Sequence, residues 1–180
     1  MDELRRLVMV GLPLAFPRIV RADPPEATGL DPMPISGLAI GGSVQNKTVL
    51  SAESLRTSPL AISMEPVPLT VRGGETRRIL TGYRGVKLTD LLDQAQIEPS
   101  DHNFLKRSFV IARATDDYTV VFSWSELYNT PIGSGVLVLV ERDGQALPSS
   151  EGPLALISRL DLRTGPRHVR WLTSIELQHV

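Results

Sequence analysis

Short apolar runs, each closed off by Gly, Pro, Ser or Asp, constrain this chain more than any other feature. LAIGGSV (38–44), RSFVIARA (107–114), YTVVFS (118–123), GVLVLVE (135–141), LALISR (154–159) and VRWLTSIELQHV (169–180) follow one another with turn residues between them. Runs of this length, rich in Val, Ile and Leu, read as strands. The 14 glycines and 14 prolines supply the turns. The strands do not alternate with long helices, so a doubly wound parallel sheet is excluded and the expected class is α+β, mostly β. A chain of 180 residues is large enough for one domain with a real core.

The helical signals are few. In GVKLTDLLDQAQIEP, Leu88, Leu91, Leu92 and Ala95 recur at helical spacing, Asp90 suits the first turn and Pro99 marks the end. Ser51 is placed to cap a short helix, SAESLR, that Ser58-Pro59 stops. Ser123 and Glu126 form a capping-box pattern that starts another. ISMEPVPLTV (62–71) is extended and broken by prolines, which suits an edge strand. Asp143-Gly144 marks a hairpin turn. Asp116-Asp117 reads as turn chemistry rather than an acid–base pair. Tyr83 and Tyr118 read as packing residues with satisfied hydroxyls.

The N-terminus is treated apart. Residues 1–22 carry Arg5-Arg6, then the apolar LVMVGLPLAF, then Val20-Arg21-Ala22 at signal-peptidase spacing. The pattern is expected to be a secretory signal, with export to the periplasm or beyond; a plain N-terminal arm or a mis-set start is the other reading. The apolar run is too short to cross a bilayer as a stable helix. Residues 23–36, with Pro24, Pro25, Pro32 and Pro34, read as a Pro-rich lead-in to a domain over 37–180.

The chain has no cysteine and a formal net charge of −1. The first rules out disulfides, thiolate metal sites and a cysteine nucleophile. The second gives no general attraction to nucleic acid or anionic lipid. His102, His168 and His179 are scattered, with no carboxylate at ligand spacing, so no metal site is expected. One local concentration of charge stands out. LTVRGGETRRILTGYRG (69–85) places Arg72, Arg77, Arg78 and Arg84 around a Gly73-Gly74 turn. The alternatives are a held anion and an ordinary solvated ribbon. On a regular strand Arg77 and Arg78 point to opposite faces, so both reach one ligand only if the strand bulges. Glu75 is also close enough to neutralise one of them.

YRGVKLTDLL (83–92), ATDDYTVVFSWSEL (114–127), VLVLVERDGQALPSSEGPLALI (136–157) and RHVRWLTSIEL (167–177) come in the order found in the sulfite oxidase group. The chain resembles that group's oxidoreductase molybdopterin-binding domain. The resemblance implies a sulfite-oxidase-like fold and a molybdopterin cofactor. It also implies a metal-binding cysteine where this chain has Val71 and Arg72, so the usual thiolate ligation of molybdenum is not available. RHVRWL is similar to the loop that approaches the pterin and its phosphate. By that resemblance Arg72, Arg77, Arg84, His168 and Arg170 are the candidate cofactor-binding residues, Arg167 could add to them, and none is assigned to catalysis or metal. The expected function is an oxidoreductase-like domain that carries no cofactor and acts as a periplasmic module for a small anionic ligand or a protein partner. The alternative is an active molybdopterin-binding oxidoreductase with non-cysteine ligation.

Overall fold

The structure is a computed structural model that describes residues 37–98 and 103–180. The export segment expected at 1–22, the lead-in at 23–36, the stop at Pro99 and His102 lie outside the described residues. Among the described residues no helix is long and apolar enough to cross a membrane.

The chain runs β1 (Gly37–Gly42), β2 (Thr48–Ser51), α1 (Ala52–Arg56), β3 (Ile62–Ser63), β4 (Val67–Thr70), β5 (Thr76–Leu80), β6 (Tyr83–Lys87) and α2 (Leu88–Ala95). It continues through β7 (Ser108–Ala114), β8 (Thr119–Ser123), α3 (Trp124–Asn129), α4 (Pro131–Ser134), β9 (Val136–Arg142), β10 (Gln145–Ala146), β11 (Ala155–Ser158), β12 (His168–Arg170) and β13 (Leu172–His179). A five-stranded sheet has the order β2-β1-β13-β7-β8, and a six-stranded sheet contains β12-β11-β9-β6-β3 with β10 paired to β9. β4 and β5 form a separate two-stranded ribbon. The α+β, mostly β reading is therefore what the molecule shows.

β9 explains why VLVLVE has no polar alternation. Val136, Val138 and Val140 point into the larger core with Leu154, Leu156 and Phe122. Leu137 and Leu139 point the other way, into a smaller core with Leu80, Tyr83 and Ile157. A strand covered on both faces reads as a continuous apolar run. β8 is covered on one face only, so Val120 and Phe122 are buried while Thr119, Val121 and Ser123 are exposed. α2 buries Leu88, Leu91, Leu92 and Ala95, the residues its spacing predicts. Asp143 and Gly144 both take positive φ, as a two-residue hairpin turn between β9 and β10 requires.

Ser51 caps α1 by accepting from Ser54 N, and Ser123 caps α3 by accepting from Glu126 N. The capping box of α3 is only half made, because the Glu126 carboxylate is engaged by Arg167 at 2.8 Å. The largest departure from expectation is in the final stretch. VRWLTSIELQHV is not one strand. β12 is an edge of the six-stranded sheet, whereas β13 lies between β1 and β7 in the other sheet. The chain passes between sheets at Trp171, whose φ is 55°. Its N–H donates to Glu151 O (2.8 Å) and its C=O accepts from Thr115 N (3.1 Å), so tertiary bonds hold a conformation that a bulky residue seldom adopts.

Candidate functional site

The β4–β5 ribbon folds toward β12. Leu69 pairs with Arg78 but Thr70 pairs with Thr76, which leaves Arg77 as the extra residue of a bulge. That bulge meets the condition for both arginines to face one ligand. Thr164 fixes the ribbon to the loop before β12: its hydroxyl accepts from Thr70 N (2.9 Å) and donates to Pro68 O (2.6 Å). Thr164 is buried, so Thr164→Val strands two backbone groups. It is expected to cost about 2 kcal/mol, read as a lower urea midpoint at unchanged slope.

Between ribbon and loop lies a cleft of about 770 Å³. Arg72, Arg77 and Arg78 line it from the ribbon, His168 and Arg170 from β12, and Val71 and Tyr118 complete the wall. Two side branches reach Asp116, Ser150 and Trp171 past Arg170. The candidate residues Arg72, Arg77, His168 and Arg170 are thus brought together from positions about 100 residues apart in the chain.

Arg84 is not with them. Its guanidinium is bonded to Glu141 (3.3 Å) and to Ala61 O (3.2 Å), on the β6–β9 side of the ribbon. Arg167 also points elsewhere. It binds Asp161 (2.6 Å from Nε) and Glu126, and its guanidinium lies 4.5 Å over the Phe122 ring. Arg78 lines the cleft, yet its charge is matched by Glu151 at 2.8 Å. Arg72, Arg77 and Arg170 make no hydrogen bond or ion pair among the described residues, so three cations face one cleft without a paired carboxylate.

Sequence reasoning missed Glu151. Its side chain is 1% exposed, rare for a glutamate, and it ties the cleft walls together. Oε1 accepts from Arg78 of β5 (2.8 Å) and from the Tyr83 hydroxyl of β6 (2.7 Å). Oε2 faces His168 Nε2 at 3.7 Å. Burial works to raise its pKa, but the adjacent His168, the hydrogen bond from Tyr83 and the charge of Arg78 outweigh it and bring the carboxyl down to about 2. Burial, together with the bond to Glu151, pushes the Tyr83 hydroxyl up to about 12. Tyr83 is the satisfied packing residue that was expected. In PSSEGPL the glutamate looks like any loop residue, and no local pattern separates it from a solvated one. Tyr118 also has a satisfied hydroxyl, donating to Pro166 O at 2.6 Å. Asp116 serves its turn by accepting from Tyr118 N at 3.1 Å.

A β-rich α+β domain with a cationic cleft between a bulged ribbon and an edge strand is suited to holding an anion. The model of one family, the oxidoreductase molybdopterin binding domain, matches residues 36–180. This chain belongs to that family. Among solved structures it is similar to the sulfane dehydrogenase SoxCD from Paracoccus pantotrophus, with a TM-score of 0.53 and 18% identity over 81% of this chain. At that identity the likeness is one of fold. The matched region is 39% of the SoxCD chain. No curated protein matches the sequence.

The cleft's residues fit one part of a molybdopterin and not another. Three unpaired arginines suit its phosphate through charge-assisted hydrogen bonds. The wall at Val71 offers no ligand to a metal, the chain has no cysteine, and no cluster of His, Asp and Glu among the described residues replaces it.

Proposed function

We propose that this chain is an exported ligand-binding module that holds a phosphate-bearing, molybdopterin-type anion in the ribbon cleft, without a protein thiolate on any metal. The observation that carries the reading is the set of Arg72, Arg77 and Arg170, each without a partner among the described residues and all lining one cleft. Cations held together in excess repel one another, and a bound oxyanion relieves that cost. The family supports a pterin as the organic part; Val71 in the wall argues against metal-centred oxygen transfer as the module's own chemistry. Export rests on the pattern of residues 1–22 alone.

The test joins binding to composition. Arg170→Ala is expected to weaken inorganic phosphate binding about tenfold by calorimetry, the value of one charge-assisted hydrogen bond. Unchanged affinity would remove Arg170 from the site. Protein purified from cells that make the cofactor is expected to carry pterin without stoichiometric molybdenum. Pterin and molybdenum together in equal amounts would favour the active oxidoreductase instead.

A further inference from the structure

The floor of the cleft holds a buried pair that the arginine site leaves unexplained. Glu151 Oε2 and His168 Nε2 are sealed from solvent, have no hydrogen-bond partner among the described residues and face each other at 3.7 Å. Their side chains are 1% and 5% exposed. The separation is too long for a hydrogen bond. Two buried polar atoms left this way carry a desolvation cost. Because Oε1 already accepts from Arg78 and Tyr83, the remaining oxygen of the carboxylate is directed at the imidazole. His168 also lines the cleft, and a carboxylate beside Nε2 favours the tautomer with its proton there, which leaves the Nδ1 lone pair as the acceptor for another.

Several charged groups surround His168. Glu151 lies behind it, with Arg78 of β5 on the same carboxylate. Arg72 and Arg77 face it across the cleft, Arg170 stands on its own strand, and Asp116 and Tyr118 close the side branch. Four arginines against two carboxylates leave the cleft with excess positive charge. An anion in the cleft cancels it.

We propose that Glu151 positions His168 to take up a proton as an anion enters the cleft, so that ligand binding is proton-coupled. The proposal rests on the anion-binding reading above. Linkage fixes the sign: binding that takes up protons weakens as pH rises.

Sulfate is the suitable probe, because it does not titrate near neutrality. Calorimetry near neutral pH in two buffers of different ionisation enthalpy is expected to show net proton uptake. Affinity is expected to fall by up to about tenfold per pH unit where an imidazole titrates. His168→Gln is expected to bind as weakly as the wild type does at high pH, with no uptake and a flat pH profile. Glu151→Gln is expected to lose most of the uptake and Glu151→Asp to restore it. If the Glu151 variants do not fold, His168→Gln decides alone. Sulfate binding without uptake in the wild type, or uptake that survives in His168→Gln, overturns the proton coupling and leaves the anion site standing. No sulfate binding at all overturns both.

Discussion

Glu151→Ala is expected to destabilise the domain by about 3 kcal/mol or more at neutral pH, the cost of removing one partner from a buried charged network. The magnitude follows from what converges on this carboxylate. Arg78, Tyr83 and His168 come from three strands. Truncation leaves the Tyr83 hydroxyl buried with no acceptor and the Arg78 guanidinium without its ion pair. Chemical denaturation reads the loss directly, and a change under 1 kcal/mol would show that the network contributes little. The same group makes the wild type acid-sensitive. Its folded pKa of about 2 lies below the ordinary value of 4.5, so its contribution is complete above about pH 4.5 and is lost as pH falls toward 2. Glu151→Gln is expected to flatten that part of the acid transition.

Gly152→Ala is the second large effect. Gly152 has φ of 80°, and a Cβ there would sit 2.7 Å from Trp171 Cδ2 and 2.9 Å from Trp171 Cα. One of those contacts is backbone, so rotation of the indole alone cannot relieve it. Left-handed strain on an alanine and overpacking together come to about 3 kcal/mol. In a domain of this size that is a fall of about 10 °C in melting temperature. The consequence extends to the cleft. Trp171 is 38% exposed, lines the side branch and directly follows Arg170, so its displacement moves that guanidinium. Anion affinity is therefore expected to fall with stability. A variant that loses stability yet binds phosphate as the wild type does would separate Trp171 from the site.

Much of the fold was legible in residue order. β9 announced a strand buried on both faces, α2 a helix with one apolar face, and Asp143-Gly144 a two-residue turn. Each is a local preference that packing did not reverse. VRWLTSIELQHV misled, because its alternation continues through Trp171 while the chain does not. The turn there is held by Glu151 and Thr115, and no residue type at position 171 signals it.

The candidate site was legible in part. Arginine clustering pointed to the ribbon, and the bulge at Arg77 brought Arg77 and Arg78 to one cleft. Arg84 carries the same side chain in the same stretch but is spent on Glu141. Arg167, one residue from His168, is spent on Asp161 and Glu126. Charge type is written in the sequence, but whether a charge is free or matched depends on which distant carboxylate folding brings beside it.

The sequence by itself determined the strand-rich class, the main helix and the absence of any protein thiolate, because these follow from residue type and short-range spacing. The tertiary structure decided the rest: the switch of sheets at Trp171, the three unmatched arginines and the buried Glu151–His168 pair. Those depend on contacts between residues far apart in the chain, where burial and the nearest opposite charge, rather than local preference, set the energy.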